Sequence, residues 1–336
     1  ENKNEKKNIS VMPHIIAEAG VNHEGNFDLA KKLIDEAAEG GAESIKFQTY
    51  KAETIASIHS PSYWDLDQEP TKSQFNLFKK YDKLWKKDYE KLKIYCDAVG
   101  IEFLSTPFDK ESAIFLDDLM DVFKISSSDI TNKPFIDFIC QFKKPIILST
   151  GASFLSEIQE ATDWVAQRNV PLAILHCILN YPTSDANANI GMMLNLMKVY
   201  PDNLIGYSDH TIPNNMKVLE IASLLGAKII EKHFTFDKTL KGNDHYHSMD
   251  KNDLKTFKKN MQLALSIVGE YKKTSLNTEE SARKNARRSL IAFCDIPAGK
   301  KIEEKHLTWK RPGTGISPKE IDKVLGRKVI TKICQD

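Results

Sequence analysis

Two histidines stand where short apolar segments end, and their placement could make them metal ligands. His210 follows an apolar segment in IGYSDHT, and His233 ends another in IIEKHFT. Histidines far apart in sequence can converge on one ion if the strands before them open at the same rim of a barrel. Asp244 comes just beyond the second histidine, in GNDHYHS. Taken singly, each histidine could instead be a strand-end ring satisfied by a neighbour.

Two lysines interrupt otherwise apolar segments, Lys46 in SIKFQ and Lys124 in VFKIS. Burying a lysine charge costs several kcal/mol unless an anion pairs with it. Together with hydroxyl groups at nearby segment ends, two such lysines predict a site for a small anion that bears phosphate and carboxylate groups. The alternative is that each lysine forms a structural pair with a neighbouring Asp or Glu.

Nearly every other apolar segment also ends in a polar or ionisable side chain. In a barrel of parallel strands such ends meet on one face, where catalytic groups collect. The remaining groups of this kind are Glu18, Gln48, Thr106, Ser127, Asp129, Ser149, Thr150, His176, Ser208 and Asp209.

The elements that must position these groups alternate between short strands and amphipathic helices. Helices are predicted over residues 28–39, 84–99 and 251–271, and a further helix should begin at Ser156 in a capping box with Gln159. Strands are predicted over residues 14–18, 44–48, 102–106, 122–125, 145–149, 172–176, 204–208 and 228–234.

Eight strand–helix units over roughly 260 residues predict an α/β fold of the (β/α)8 TIM-barrel type. An open doubly wound sheet is the competing architecture, but it normally carries a glycine-rich phosphate fingerprint after its first strand. The segment EAGVNHEGN at that place does not provide one. The barrel is therefore the favoured fold.

Changes in composition divide the chain into four parts. We expect a polar tail over residues 1–12, the barrel over 13–272, a charged linker over 273–287 and a small β-rich domain over 288–336. In the last part, SLIAFCDIPAGKKI predicts a strand, a turn and another short strand. Within the barrel, the long connection over residues 51–83 is either functional or carries small helices of its own. The final residues show no terminal strand pattern, so a few native residues could be missing there.

Composition excludes several classes of function. The net charge of +1 gives no electrostatic case for binding nucleic acid or a membrane surface. The five cysteines form no CxxC pair and indicate reduced thiols rather than a disulfide framework. The polar start lacks the apolar core of a signal peptide, and no apolar run is long enough to span a bilayer. We expect a cytoplasmic protein.

The motifs taken together resemble those of the sialic acid synthase family, the N-acetylneuraminate synthase-like enzymes. They are EAGVNHEGN, ESIKFQTYK, FLSTPFD, FKISSSD, LSTGAS, LHC with YPT, IGYSDHT, IIEKHFT and RPGTGISP. The resemblance implies a barrel with a C-terminal antifreeze-like (SAF) domain. It also implies a condensation of phosphoenolpyruvate with an N-acylated sugar that releases phosphate. The expected cofactor is a divalent metal ion, manganese first and magnesium or cobalt as alternatives. The expected partner is a second copy, in a homodimer whose small domains close each other's barrels.

The resemblance also assigns roles to individual residues. His210 and His233 would hold the metal, and Arg311 would reach the N-acyl group from the other subunit. Glu18, Asp129, Lys46 and Lys124 would be catalytic. Phosphoenolpyruvate would be held by Lys46, Thr106, Lys124, Ser127, Ser149 and Ser208. The sugar would be contacted by Glu18, Gln48, Asn180, Tyr181 and Asp244.

Two departures from the family pattern concern the sugar. Asp129 stands where the family often has the longer Glu, which leaves its reach as an acid or base open. Leu179 stands where the family often has Asn, so Asn180 either replaces that contact or the contact is lost. The sugar could thus be N-acetylmannosamine, a diacetamido-trideoxyhexose as in legionaminic or pseudaminic acid synthesis, or a spore-coat type precursor.

Three other functions are compatible with parts of this sequence. A related phosphoenolpyruvate-dependent synthase acting on a phosphorylated sugar should show an arginine cluster, yet Arg168 is the only arginine before Arg283. A Schiff-base aldolase would use Lys46 or Lys124 as its nucleophile. The hypothesis of a non-catalytic binding protein would be supported only by the antifreeze-like fold of the last domain, and fold alone does not imply function.

Overall fold

The computed structural model of this chain describes residues 11–242 and 244–336. The described chain divides into two compact units, one ending at Gly269 and the other running from Glu270 to Asp336. Of the polar tail expected over residues 1–12, the first ten residues lie outside the described part.

The first unit is built on the eight parallel strands that the sequence predicted. The strands are β1 (His14–Gly20), β2 (Ser44–Thr49), β3 (Glu102–Pro107), β4 (Phe123–Ile125), β5 (Ile146–Ser149), β6 (Leu172–Cys177), β7 (Leu204–Asp209) and β8 (Ile229–His233). Their hydrogen-bonding order is β3-β2-β1-β8-β7-β6-β5-β4. Because β3 and β4 at the two ends of this order are neighbours in space, the sheet is nearly closed into a barrel.

The helices of the first unit, apart from the two that lie within residues 51–83, bury their apolar faces against the outside of the sheet. They are α1 (Phe27–Gly40), α2 (Ala52–Ile55), α3 (Gln74–Tyr81), α4 (Lys86–Val99), α5 (Lys110–Asp117), α6 (Lys133–Ile139), α7 (Leu155–Gln167), α8 (Gly191–Val199), α9 (Lys217–Leu224) and α10 (Lys251–Val268). The helix expected to reach residue 271 ends at Val268, because Gly269 follows with a φ of 60°. In the two described ranges, no helix is both long and apolar enough to cross a bilayer.

The expected start of α7 was wrong by one residue. The helix begins at Leu155, and the backbone N–H of Phe154 donates to Glu157 Oε2 at 2.7 Å. The predicted partner Gln159 instead donates its side-chain amide to Asp163 on the next turn, at 2.8 Å. A carboxylate three residues after the cap satisfies the free N–H at the helix start, and Glu157 fits that position better than Gln159.

Alternation along each strand separates an apolar floor from the polar positions above it. Successive inward residues of β8 are Ile229, Glu231 and His233, and β1 presents Ile16 before Glu18. The first inward residue of several strands is apolar, and these side chains form a small cluster inside the barrel. The cluster consists of Ile16, Leu104, Ile147, Ala173, Leu175 and Ile229. Polar side chains one or two steps further along the strands therefore rest on a closed apolar layer.

Close packing of this layer requires a glycine in β7. A methyl group on Gly206 would lie 2.4 Å from the carbonyl oxygen of Ile229 and 2.6 Å from Leu175 Cδ2. Both distances are shorter than van der Waals contact, so even alanine would force the backbone of β7 and β8 apart. Gly206 thus keeps these two strands, which lead to the two histidines, at their observed spacing.

The long connection after β2 is ordered by helices and by its own polar contacts. It carries α2 and α3, and Lys79 Nζ on α3 lies 2.7 Å from Glu53 Oε1 on α2. Between the helices, Pro61 and Ser73 form an antiparallel bridge. Buried Glu69 lies 2.8 Å from Lys80 Nζ. The expectation that this segment would carry small helices of its own is met.

The second unit has its own small core. Its elements are α11 (Glu280–Asn285), β9 (Ser289–Ala292), β10 (Leu307–Lys310) and α12 (Ile321–Val324). β9 pairs antiparallel with β10. The sequence predicted the second strand directly after the Pro-Ala-Gly turn, but the strand that pairs with β9 lies further along the chain. In that expected strand, Lys301 forms only an isolated bridge with Lys328. Ala292, Ile296, Ile302 and Val329 form the buried cluster.

Candidate active site

A cavity of about 360 Å³ lies at the carboxyl ends of the barrel strands. Its wall collects many side chains that the sequence placed at strand ends: Glu18, Lys46, Gln48, Thr106, Lys124, Ser127, Ser149, Tyr181, Ser208, His210 and His233. Backbone register explains the convergence, because Glu18 is the in-register neighbour of Lys46 on β2 and of His233 on β8. A volume of this size suits a small-molecule site.

Two lysines and two carboxylates form a buried charged cluster in this cavity. Lys46 Nζ contacts Glu18 Oε2 and donates to Thr106 Oγ1 at 2.8 Å. Glu231 lies 3.7 Å from the Nζ atoms of both Lys46 and Lys124. The sequence left open whether the lysines bind an anionic ligand or form structural ion pairs. Both lysines have acidic neighbours and both line the cavity, so the geometry is compatible with both roles.

The ionisation of this cluster follows from burial and from mutual charge. Burial works against the charge of Lys46, but Glu18 and Glu231 raise its pKa above the usual value. Burial lowers the pKa of Lys124. Burial also opposes the charge of Glu231, yet Lys124 and Lys46 lower its pKa to about 2. Burial raises the pKa of Glu18 to about 7, so this carboxyl group titrates near neutral pH.

Glu231 was missed by the sequence reasoning. In this strand only the final residue, His233, was predicted as a site residue, and Glu231, two positions earlier, was not. The signal was present, because residues two apart on a strand share a face, and Glu231 shares the inward face with His233. Ser208 Oγ donates to Glu231 Oε1 at 2.9 Å, which ties the end of β7 to the same cluster.

The two histidines predicted as metal ligands lie side by side. Their ring centroids are 5.5 Å apart. His210 Nδ1 lies 2.8 Å from the carbonyl oxygen of Ile178, and donation of that N–H leaves Nε2 as the basic nitrogen. Burial lowers the pKa of His210 to about 4 and that of His233 well below its usual value, so both imidazoles are neutral. Neutral imidazole is the form that binds metal ions.

The residues present fit a metal centre with few protein ligands. His233 Nδ1 is buried and has no hydrogen-bond partner among the described residues, and it lies 3.6 Å from Asp244 Oδ2. Across the described ranges, no group of three or more His, Cys, Asp or Glu side chains is arranged to hold an ion. Two imidazoles would leave most coordination positions to substrate and water, as a catalytic site requires.

A third imidazole, which the sequence reasoning did not select, lies beside the pair. His247 is fully buried, and its ring centroid is 5.1 Å from that of His233. Its Nε2 is 3.5 Å from Asp244 Oδ1, and neither ring nitrogen forms a hydrogen bond within the described chain. Its motif DHYHS lies in a polar loop without periodicity, so no pattern indicated that it would fold back onto the histidines.

A buried ion pair on the outer side of the sheet fixes the two strand ends that carry the histidines. Lys232 Nζ lies 2.7 Å from Asp209 Oδ2, and both side chains are inaccessible to solvent. Tyr207 and Thr211 donate further hydrogen bonds to the same carboxylate. Asp209 was expected as a strand-end group, and it pairs with Lys232 outside the cavity. Breaking such a buried pair typically costs about 3–5 kcal/mol, so it is a strong constraint on β7 and β8.

Four of the predicted site residues are not among those that line the cavity. Asp129 is half-buried beside Asn132 Nδ2, 3.0 Å away, and burial raises its pKa. Asn180 is exposed, while Leu179 lines the cavity in its place. Asp244 is buried next to His233. Arg311 is exposed in the second unit.

Two further strand-end groups have structural partners instead. His176 Nε2 lies 2.9 Å from the carbonyl oxygen of Ala188. Thr150 Oγ1 donates to the carbonyl oxygen of Leu175 at 2.9 Å. The simpler interpretation of a strand-end histidine, a ring satisfied by its neighbour, therefore holds for His176, whereas in the cavity His233 Nδ1 has no hydrogen-bond partner among the described residues.

Comparison with known proteins gives the same family that the motifs suggested. A family model described as NeuB family matches residues 33–273, and one described as SAF domain matches residues 287–334. N,N'-diacetyllegionaminic acid synthase of Legionella pneumophila is 37% identical over 328 residues, which are 95% of this chain and 91% of that protein. The synthase of the same name from Campylobacter jejuni is 38% identical over 324 residues, covering 95% of this chain and 96% of that protein.

A solved structure agrees with these relatives. N-acetylneuraminic acid (sialic acid) synthetase from Leptospira borgpetersenii, solved in complex with citrate, matches with a TM-score of 0.71 and 32% identity over 81% of this chain and 90% of that one. The predicted barrel, the small β-rich domain and the resemblance to this group of enzymes are thereby confirmed. The chain belongs to the NeuB family and carries a SAF domain after its barrel.

Proposed function

We propose that this chain condenses phosphoenolpyruvate with an N-acylated hexosamine, giving a nonulosonic acid and inorganic phosphate. The observation that carries the proposal is one cavity in which two buried lysines lie close to two neutral imidazoles. The relatives named as diacetyllegionaminic acid and sialic acid synthases support it. The sugar would be N-acetylmannosamine or a diacetamido-trideoxyhexose.

The anionic substrate would bind at the charged cluster. Lys46 and Lys124 supply positive charge as compact ammonium groups. A single phosphate group can be bound in this way without the bidentate hydrogen bonds that the planar guanidinium group of arginine forms. Ser149 Oγ is buried and has no hydrogen-bond partner among the described residues, so it is available to a phosphate or carboxylate oxygen. Thr106, Ser127 and Ser208 add hydroxyl groups to the same wall.

A divalent metal ion fits beside this cluster, as expected of a sialic acid synthase-type enzyme. We infer that His210 and His233 hold it and that manganese is the first candidate. When bound, the ion supplies Lewis acidity toward the carbonyl oxygen of the sugar. Two imidazoles discriminate weakly among divalent ions, so magnesium and cobalt should also be tested.

The side chains of the cavity can assist each step of the proposed condensation. A carbon–carbon bond forms between C3 of phosphoenolpyruvate and the aldehyde carbon, whose oxygen takes a proton from solvent. Water then adds at C2, and Glu18 can accept its proton because the pKa of this carboxyl group is about 7. The bond between C2 and the bridging oxygen then breaks while the hydroxyl group on C2 becomes the keto oxygen. The phosphate leaves with the proton of that hydroxyl group, and Lys46 and Lys124 stabilise its charge.

A phosphate-release screen tests the proposed function. The enzyme, loaded with Mn²⁺, would be incubated with phosphoenolpyruvate and a panel of 2-acetamido hexoses, and both phosphate and the nine-carbon keto acid would be measured. We expect equal amounts of the two products with at least one sugar. Phosphate release that does not depend on any sugar would overturn the proposal.

One observation favours a different mechanism, in which a lysine forms a Schiff base. The lowered pKa of Lys124 is a property of nucleophilic lysines. Borohydride reduction in the presence of substrate, followed by mass spectrometry, separates the two mechanisms. We expect no adduct, because both lysines lie beside Glu231 at 3.7 Å and are placed to hold an anion.

The pH dependence of activity should report the ionisation of Glu18. A base works only when deprotonated, so kcat/KM should fall by about tenfold for each pH unit below the pKa of about 7. In Glu18→Gln the residual rate should lose this acid limb. Glu53→Gln, which changes an exposed carboxyl group on α2, should keep it. An unchanged acid limb in Glu18→Gln would contradict the assignment.

We also infer a homodimer in which the small domain of one subunit completes the barrel site of the other through Arg311. Arg311→Ala should raise the KM for the sugar by about 10- to 100-fold, since a charge-assisted contact is worth about 1.5–3 kcal/mol. Mixing Arg311→Ala with the barrel variant Lys124→Ala should restore activity, because the heterodimer contains one intact site. Absence of complementation in a verified heterodimer would contradict the exchange.

A cytoplasmic location is part of the same proposal. Cys96, Cys140 and Cys177 are free and buried, and Cys294 and Cys334 are free as well. Five free thiols suit a reducing compartment. Thiol titration of the native protein from its source cell would check this, and five titratable thiols after unfolding are expected.

A further inference from the structure

A buried imidazole beside the predicted metal ligands has no part in the chemistry above. His247 is inaccessible to solvent, and neither of its ring nitrogens forms a hydrogen bond within residues 11–242 and 244–336. Burying polar atoms without partners costs free energy, so this ring calls for a compensating role. We propose that His247 is a positioning residue, which holds the carboxylate of Asp244 beside His233 and thereby fixes the metal-binding tautomer of His233. The inference rests on the proposed function, since it concerns the same metal centre.

The carboxylate of Asp244 lies between two imidazoles. Its Oδ1 is 3.5 Å from His247 Nε2, and its Oδ2 is 3.6 Å from His233 Nδ1. Both distances exceed those of ordinary hydrogen bonds, so the contacts are electrostatic at this separation. Contacts of this kind in active sites often shorten when substrate binds. Because each oxygen faces a different ring, a change at one ring is transmitted to the other through this carboxylate.

The carboxylate determines which nitrogen of His233 carries the proton. An ionised carboxyl group, the ordinary state near neutral pH, is an acceptor only. The proton of His233 therefore lies on Nδ1, facing Asp244, which leaves Nε2 to bind a metal ion. His210 has the equivalent arrangement, since the carbonyl oxygen of Ile178 lies 2.8 Å from its Nδ1. The two ligands then present the same ring nitrogen.

Two tyrosine rings and His233 enclose the ring of His247. The ring centroid of Tyr246 lies 5.0 Å from that of His247 at an interplanar angle of 87°, and that of Tyr181 lies 5.6 Å away. Tyr246 Oη donates to the carbonyl oxygen of Tyr181 at 3.1 Å, which joins the two sides of this enclosure. A ring packed on several sides cannot turn freely, so its Nε2 stays directed at Asp244.

The backbone of this loop is fixed by contacts that do not involve the imidazole of His247. Ser248 Oγ donates to the carbonyl oxygen of Asp244, and the backbone N–H of Met249 donates to the carbonyl oxygen of His233 at 2.8 Å. Replacement of the His247 side chain should therefore leave the loop on the end of β8.

His247 is not itself a candidate ligand. It is not among the residues that line the cavity, and no three His, Cys, Asp or Glu side chains in the described part of the chain are arranged to hold an ion. Its effect on the metal must then pass through Asp244. A group that orients a ligating histidine typically contributes about 10- to 100-fold in metal affinity.

The test measures the Kd for Mn²⁺ without substrates, from the electron paramagnetic resonance signal of free Mn²⁺. His247→Leu nearly keeps the size of the side chain but removes its donor, and we expect it to weaken binding by about 10- to 100-fold. His247→Gln places an amide N–H near the position of Nε2 and should bind within about threefold of wild type. His247→Asn carries the same amide one methylene short of Asp244 and should bind as weakly as His247→Leu. It decides the question if His247→Leu does not fold.

A double-mutant cycle separates positioning from a general structural effect. If His247 acts through Asp244, His247→Leu should weaken Mn²⁺ binding by no more than about twofold once Asp244→Asn is present. His176→Leu is the matched control, because it makes the same change at a buried histidine whose Nε2 lies 2.9 Å from the carbonyl oxygen of Ala188. It should keep the wild-type Kd.

Three outcomes would show the inference to be wrong while the proposed function stands. They are wild-type Mn²⁺ affinity in folded His247→Leu or His247→Asn, equal losses in His247→Gln and His247→Leu, and losses that add in the double variant. The proposed function needs only the two ligands His210 and His233. Failure of the wild-type protein to bind Mn²⁺ would instead overturn the metal assignment and the inference with it.

Discussion

Replacement of His233 by alanine is expected to lower kcat by about a thousandfold or more, because Lewis-acid stabilisation by a metal is worth several kcal/mol. His233 and His210 are the two imidazoles that meet in the cavity, with ring centroids 5.5 Å apart. Removal of one of two protein ligands should also weaken Mn²⁺ binding, which calorimetry or the electron paramagnetic resonance signal of free Mn²⁺ can measure without turnover.

The matched control for this variant is His176→Ala. His176 is also a buried histidine near a strand end, but its Nε2 lies 2.9 Å from the Ala188 carbonyl oxygen, away from the cavity wall. Its loss should lower the free energy of unfolding and leave Mn²⁺ affinity within about twofold. Unchanged Mn²⁺ affinity in a folded His233→Ala protein would refute the metal assignment.

Replacement of Lys124 by alanine is expected to raise the KM for phosphoenolpyruvate by about 30-fold or more, because truncating one member of a buried charge pair costs about 2–5 kcal/mol. Lys124 Nζ lies 3.7 Å from Glu231. Without it, the negative charge of Glu231 would face the incoming anion with Lys46 as the nearest counter-charge. Lys124→Arg should not restore binding, since a guanidinium group differs in shape and hydration from an ammonium group.

Lys144→Ala provides the comparison for this variant. Lys144 is partly exposed, pairs with Asp117 at 2.8 Å and precedes β5, at the end of the barrel opposite the cavity. Its removal should leave the KM for phosphoenolpyruvate unchanged. Steady-state kinetics with both substrates varied will separate the effects, and a Lys124→Ala enzyme with a wild-type KM for phosphoenolpyruvate would rule out the anion site.

The sequence was informative where side-chain periodicity determines structure. The alternation of apolar segments and helices predicted the barrel, and the strand ends predicted the meeting of Lys46, Lys124, His210 and His233. These inferences succeed because parallel strands in a barrel have their carboxyl ends at one rim, whatever the contacts of individual side chains.

Groups held by loops or by cross-strand pairing were not predictable in the same way. Gln74 lines the cavity and His247 lies beside His233, and both belong to connections whose path depends on tertiary contacts, such as the hydrogen bond from Gln74 Nε2 to the carbonyl oxygen of Pro61. The buried pair of Lys232 and Asp209 needed the register of β7 and β8, which short apolar segments do not specify. By contrast, Glu231 could have been found from the two-residue alternation within IIEKH.

The apolar floor of the barrel separates the active-site cavity from the amino ends of the strands. Ile147, Ala173 and Ile229 also line a separate cavity at the amino ends of the strands, so this layer divides the two spaces. Ligands therefore enter and leave the active-site cavity on the carboxyl-terminal side of this layer, and a ligand bound next to the layer has to bind before a second ligand covers it. If the charged cluster is the deeper of the two binding sites, phosphoenolpyruvate binds before the sugar. Phosphate is then released after the newly formed keto acid.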